Sequence, residues 1–274
     1  MEAAQIMETV TKEESVSKKK GISGSMLKLI AVFTMLIDHV GAAILGRYVM
    51  LSGYMDLLTT TDVNVINQWL VENATLYYVY TATRMIGRVA FPIFCFLMVE
   101  GFLKTRDVKK YALRLGAFAL ISEIPFDLAF SAEVLEFDYQ NVYFTLFFGL
   151  LTMVAFDYIA KSRMAKPLTV LGSMLALAAG AGVAELLHTD YGAIGVASIL
   201  VLYVFRKNKV WQIVSGCLVF LWEFTAPFAF IPIGFYNGKR GLKLKYFFYA
   251  FYPLHLAIIY IVCLILGIAA QSAI

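Results

Sequence analysis

The apolar runs of this chain are long, and their length constrains its fold more than any other feature. Residues 27–45, 85–103, 111–130, 142–160, 168–187 and 247–268 each approach the ~20 residues that a helix needs to cross a hydrocarbon core of ~30 Å. Residues 191–205 form a shorter run of the same kind. Of the 274 residues, 61% are hydrophobic and 15% charged. A soluble domain carries about a quarter charged residues, so water is not the solvent for most of this surface. Helices satisfy their own backbone hydrogen bonds in lipid, and the sequence lacks the alternating ~10-residue pattern of a membrane barrel. The expected fold is an all-α, polytopic transmembrane bundle.

Residues 1–25 differ. They mix Glu2, Glu8, Glu13 and Glu14 with Lys12 and the run Lys18, Lys19, Lys20. They form a polar tail, expected to be mobile, ahead of one membrane domain over residues 26–274. The basic run follows the acidic residues and the first apolar run is long enough to span, so the tail lacks the form of a cleaved signal peptide. Placing the tail in the cytoplasm sets the orientation by the positive-inside rule. Lys104, Arg106, Lys109 and Lys110 then fall inside, as do Lys161, Arg163 and Lys166 and then Arg206, Lys207 and Lys209. Residues 210–236, interrupted by Pro227 and Pro232, are long for one straight span and short for two. Keeping Lys239, Arg240, Lys243 and Lys245 inside requires two crossings or a re-entrant hairpin; two short helices, giving about nine spans, are expected, and one tilted span, giving eight, would put that cluster outside. Residues 47–83 are expected to form a long outer loop, partly resting on the interface. The location is the plasma membrane and the first partner is the lipid bilayer. A net charge of +4 is weak support for a nucleic-acid partner, and none is expected. Cys95, Cys217 and Cys263 lie in apolar segments with no metal or redox spacing.

An ionisable side chain at the centre of a membrane helix costs roughly 2.5–3.5 kcal/mol and needs a partner, a wet cavity or a role. Asp38 and His39 fall in the outer half of the first span, and Arg84 and Arg88 at the outer start of the second. Glu123 and Asp127 fall near the outer end of the third, Asn141 at the start of the fourth and His255 near the middle of the last. Arg84 and Arg88 share a helix face, as do Glu123 and Asp127, with Pro125 between them. Facing each other, the two pairs would neutralise and lock the helices. Asp38 and His39 point about 100° apart, so Asp38 does not orient His39 directly. Three histidines on three spans do not make a metal motif. Glu185 with His188, Asp157 and Glu223 lie near span ends, where solvation suffices.

Five stretches together resemble the TraX family, named for a conjugation protein that acetylates pilin. They are residues 27–41 (LKLIAVFTMLIDHVG), 86–130 (beginning IGRVAFPIF and ending ISEIPFDLAF), 141–146 (NVYFTL), 236–241 (YNGKRG) and 248–256 (FYAFYPLHL). The resemblance implies a membrane acetyltransferase, akin to wider transmembrane acyltransferases, with acetyl-CoA as co-substrate. The acceptor would be an amine or hydroxyl on a pilin-like protein or an envelope polymer. It assigns the family's motif positions to Asp38, His39, Arg88, Glu100, Glu123, Pro125, Asp127, Asn141, Asn237 and His255. In the mechanism expected on that basis, neutral His39 takes the acceptor's proton, Arg88 or Asn141 stabilises the oxyanion, and Glu123 and Asp127 hold Arg84 and Arg88. Arg106, Lys109, Lys110, Lys239 and Arg240 would attract the phosphates of the co-substrate, with Glu100, Asn237 and Arg84 as further binding candidates. The rival functions are a transporter or proton-coupled exporter built on the same buried groups, and a non-catalytic assembly factor for a surface structure.

Overall fold

The structure, a computed structural model, describes residues 20–273. Most of the expected polar tail, residues 1–19, lies outside the described residues. Among the described residues every named element is helical, and β-pairing is limited to two isolated bridges, Ile22–Tyr236 and Gln140–Thr189. Five helical runs are long and apolar enough to cross a bilayer: Gly24–Leu51, Ala74–Lys104, Val142–Lys161, Lys166–Leu186 and Tyr246–Ile265. The all-α membrane architecture expected from the sequence is therefore present.

The first run is composite. α1 (Gly24–Val40) starts where the Ser23 hydroxyl accepts the Met26 amide at 3.3 Å. It passes through a π-helical turn, Gly41–Leu45, into α2 (Gly46–Leu51). Such turns are rare and gather at functional sites; this one directly follows Asp38 and His39.

The expected outer loop at 47–83 is helical for most of its length. α3 (Tyr54–Thr59) and α4 (Val63–Glu72) cover its first half. They are anchored by buried Trp69, whose indole donates to the Ser52 carbonyl at 2.8 Å. Its second half is α5 (Ala74–Gly87), which runs through a break at Arg88 and Val89 into α6 (Ala90–Lys104). Arg84 and Arg88 were expected at the outer start of a span. They sit instead near the middle of one 31-residue helical run. The threonines and tyrosines of α5 hide it from a hydropathy reading, although they suit a helix packed on other helices.

α7 (Val108–Phe130) is capped by Asp107, whose carboxylate accepts the Lys110 amide, and α8 (Val142–Lys161) by the side chain of Asn141. α9 (Lys166–Leu186) and α10 (Gly192–Val204) follow. Residues 210–236 form a hairpin. α11 (Lys209–Val219) rises only about 16 Å, half the thickness of the core. The chain turns at residues 220–225 and returns through the 3-10 turn Ala226–Ala229 and α12 (Phe230–Gly234). The two ends of the hairpin meet, with Lys209 Nζ donating to the Tyr236 carbonyl at 3.2 Å. Its tip is pinned to the α5–α6 break, where Thr225 Oγ1 donates to the Met85 carbonyl at 2.6 Å. Neither limb is long enough for the two crossings behind the expected count of nine, and the return to the starting end removes the single crossing behind eight.

The last helix is α13 (Lys245–Ile265). One end of the bundle gathers the basic connections: the Gly24 and Ser25 amides donate to the Lys239 and Arg240 carbonyls, and Lys104 Nζ reaches the Tyr236 hydroxyl and the Gly238 carbonyl. At the opposite end the segment after α13 folds back, and the Ala273 amide donates to the Phe130 carbonyl at 2.7 Å. Close helix approach depends on small residues, as is usual in membranes. A Cβ on Gly87 would stand 2.1 Å from Cβ of Asp38, so α1 and α5 touch there only because Gly87 has no side chain.

The hairpin makes a topological prediction. Single cysteines placed at Lys207 and Lys243, in a Cys217→Ser background, should react with a membrane-impermeant maleimide from the same side of the membrane. Reaction from opposite sides would mean that residues 210–236 cross once.

Candidate functional site

His39 and His255 meet. His39 leaves α1 two residues before the π-helical turn, and His255 leaves α13 just after Pro253. His39 Nδ1 lies 2.7 Å from His255 Nε2, and the ring planes differ by 11°. His255 Nδ1 lies 2.8 Å from the Phe251 carbonyl. A carbonyl only accepts, so His255 Nδ1 carries a proton. With both rings neutral, His255 Nε2 then accepts and His39 Nδ1 donates. That leaves Nε2 of His39 with a free lone pair. Phe130 and Tyr252 pack edge-on against the His39 ring, with centroids at 5.4 and 5.9 Å, and hold its orientation.

His39 lines a cavity of about 70 Å³, room for a few waters or one small group. Its polar lining is Asp38, His39, Arg84, Arg88, Tyr139, Asp190 and Tyr191, against walls of Met35, Phe91, Phe94, Phe126 and Phe130. The imidazole therefore shares one space with both guanidiniums, but not with Glu123 or Asp127.

The ion pairs differ from those expected. Arg84 Nη1 binds Asp38 Oδ2 at 2.9 Å, and Arg88 Nη1 binds Glu223 Oε1 at 3.1 Å. Glu223 belongs to the hairpin tip, and its side chain is only 10% exposed, so it is an internal counter-ion rather than a solvated span end. Asp38 serves Arg84 and not His39, in keeping with their divergence on the helix. Glu123 and Asp127, expected to hold the arginines, form a separate buried network. The Asn141 amide donates to Glu123 Oε2 and to the Ala119 carbonyl, and Asp127 Oδ2 accepts the Glu136 amide at 3.0 Å. Asn141 Oδ1 accepts the Tyr143 amide as well. Its side chain is thus engaged in joining α7 to α8, and none of these three residues lines the cavity.

Asp190 was not among the candidates. It lies in the connection from α9 to α10 and accepts a hydrogen bond from the Tyr139 hydroxyl. Burial raises its carboxyl above the usual aspartate range, opposed by the Tyr139 bond and the charges of Arg88 and Arg84. The two connections that carry Tyr139 and Asp190 are tied by the Gln140 amide to the His188 carbonyl and the Asp190 amide to the Gln140 carbonyl, each at 2.9 Å. Glu185 caps α10 through the Ala193 amide. Nothing in local composition marks Asp190; only the fold brings it inward.

Arg47 was placed at the start of a loop and is in fact fully buried. It donates to the carbonyls of Gln271, Ala43 and Ala129 at 2.6–2.7 Å, tying the C-terminal segment to the π-helical turn and α7. A lone arginine inside the apolar run AAILGRYVML was the available signal.

The candidates for phosphate binding lie at the basic end, except Arg84, which is held in the cavity by Asp38. Arg106, Lys109, Lys110, Lys239 and Arg240 are exposed there. Glu100 pairs with Lys104 at 2.6 Å, and Asn237 donates to the Gly21 carbonyl and accepts the Lys239 amide, so both shape this end of the bundle.

The Arg88–Glu223 pair can be tested as a unit. Removing one partner of a buried pair strands the other, at about 3–5 kcal/mol. Arg88→Met should destabilise the protein by that order in thermal unfolding, and adding Glu223→Gln should restore part of the loss. Additive losses would mean that the two groups do not interact.

Comparison with known proteins fits the arrangement. The model of a family described as TraX protein matches residues 23–263, a stretch that includes both histidines, both arginines and the hairpin. The probable fimbrial assembly protein FimC, serogroup H1, of Dichelobacter nodosus is 29% identical over 275 residues, covering 89% of this chain and 97% of that protein. No solved structure matches the chain. By sequence, this chain belongs to the TraX family.

Proposed function

We propose that the protein moves an acyl group, acetyl in the first instance, from acyl-CoA to an amine or hydroxyl, with His39 as general base. The observation that carries this reading is the free Nε2 of His39 in a cavity shared with two guanidiniums. Such a pairing of base and fixed cations suits attack on a carbonyl that develops negative charge.

The topology that fits is a cytoplasmic N-terminus, seven crossings and the re-entrant hairpin 209–236. Every basic connection then faces the cytoplasm, and the exposed Arg106, Lys109, Lys110, Lys239 and Arg240 present positive charge to the phosphates of the co-substrate. His39 stands about 22 Å up α1 from Gly24, past the middle of the membrane. The cavity, at about 70 Å³, suits an acetyl-sized group rather than a long acyl chain.

The chemistry then runs as a direct transfer. The acceptor's nitrogen or oxygen attacks the thioester carbon while His39 Nε2 takes its proton. Arg84 and Arg88 stabilise the oxyanion, and His39 Nδ1 keeps its bond to His255, which holds the imidazolium in place. The tetrahedral species collapses, the carbon–sulfur bond breaks, and the departing thiolate recovers the proton from His39. The acceptor is proposed as a pilin-like or fimbrial subunit, or an envelope polymer; a fimbrial role is in keeping with the name of the Dichelobacter relative.

The test is transfer of label from acetyl-CoA by the purified protein in bilayers, scored as free thiol released and label on an acceptor peptide. His39→Ala should lower the rate by about 10²–10⁴-fold, with the helical content unchanged. His255→Ala should lower it less, and should add nothing to His39→Ala. Transfer at the wild-type rate by His39→Ala removes the assignment. Acceptor binding with no thioester consumption by the wild type would point to an assembly role without catalysis.

A further inference from the structure

A second feature lies at the α8–α9 turn, away from the histidines. Between α8, α9 and α10 is a cavity of about 390 Å³ walled by Phe156, Met174, Leu177 and Leu200, with almost no polar surface. Its origin is a pattern of small residues. Gly172 and Gly180 let α9 approach α8 closely, since a Cβ there would meet Ile159 at 3.3 Å and the Thr152 hydroxyl at 1.8 Å. Ala160 and Ser173 are too short to fill the space left beside that contact. α9 is the least covered of the five long apolar runs, with only 6% of its apolar window buried, so this slot faces the bilayer.

The charge beside the slot is equally specific. The turn at residues 162–165 joins the ends of α8 and α9 that supply Ala160 and Thr169 to its lining. Lys161 is neutralised there by Asp157 at 2.6 Å, and Asp157 also accepts the Tyr203 hydroxyl at 2.5 Å. That uses the nearest acid. Arg163 and Lys166, both exposed, have no ion-pair partner among the described residues. Two uncompensated cations beside an apolar slot form a bipartite surface: cationic at the head, hydrocarbon below.

We propose that this is a binding site for one anionic phospholipid, its phosphate on Arg163 and Lys166 and one acyl chain in the slot between α8 and α9. A zwitterionic lipid would fill the slot as well but would gain less from the two cations. The site is independent of the acyl-transfer reading, since it uses none of the residues assigned to that reaction.

The test is retention of lipid by the full chain. Protein reconstituted in vesicles of equimolar phosphatidylglycerol and phosphatidylcholine is extracted gently and weighed by native mass spectrometry. Phosphatidylglycerol should be retained over phosphatidylcholine by about 30-fold, as two surface cations provide. The double variant Arg163→Gln, Lys166→Gln changes only exposed side chains and should abolish that preference. Ser173→Phe, which fills the slot, should lower retention of both lipids. Equal retention of the two lipids by the wild type overturns the proposal, as does an unchanged preference in the double variant. Displacement of the lipid by millimolar glycerol phosphate would also overturn it, because a headgroup-only site makes no use of the slot.

Discussion

The chain of hydrogen bonds from the Phe251 carbonyl through His255 to His39 is the interaction on which the functional account depends. It begins at a group that only accepts, and that fact propagates. One nitrogen of His255 must be protonated, the other accepts, and the base is delivered at the cavity end of His39. The chain also spans the protein, joining the first apolar helix to the last. A second consequence concerns charge. A cationic dyad would add to two guanidiniums already close by, in a medium where each charge is costly. Neutral imidazoles avoid that cost and leave the positive field to Arg84 and Arg88.

Those guanidiniums in turn explain the hairpin. A membrane chain that carries Arg88 in mid-helix needs a carboxylate at the same depth, and the 220–225 turn supplies Glu223 there. The break at Arg88 and Val89 and the tip of the hairpin therefore form one unit, reinforced by the Thr225 hydroxyl on the Met85 carbonyl. Non-helical backbone at this depth is tolerated because it is packed within protein rather than exposed to lipid. Gly87 completes the arrangement by letting Asp38 reach Arg84 across the α1–α5 contact. Arg47 is handled differently: three carbonyls surround it in place of a carboxylate, and the segment after α13 is tied down by that choice.

Much of this was legible in the sequence. The apolar runs gave the long helices, and the cost of burying ionisable groups singled out Asp38, His39, Arg84, Arg88 and His255, together with Glu123, Asp127 and Asn141, which the fold places in a separate network. What escaped had physical reasons. The pairing of acids with arginines depends on which helices are neighbours, and i,i+4 spacing says nothing about that; hence Glu123 and Asp127 were matched to partners they do not meet. α5 escaped because a helix rich in tyrosine and threonine scores as polar even where it packs within a bundle. The helical limbs of 210–236 and their return to the side they start from were foreseen, but that the limbs stop short and fold as a hairpin pinned to the α5–α6 break is a tertiary fact. Asp190 and Tyr139 sit in connections of ordinary polarity, and only the pairing of residues 140 and 188–190 turns them inward.

The central claim is a statement about one nitrogen, and nitrogen can be observed directly. Solid-state NMR of the protein in bilayers, with ¹⁵N-histidine, reports the protonation of each ring nitrogen, and His39→Gln and His255→Gln samples assign the signals. The account predicts at neutral pH an unprotonated Nε2 and a protonated Nδ1 on His39, with the same tautomeric pattern on His255. A His39 whose Nε2 bears the proton would contradict it, because the group facing the cavity would then be a donor and not a base.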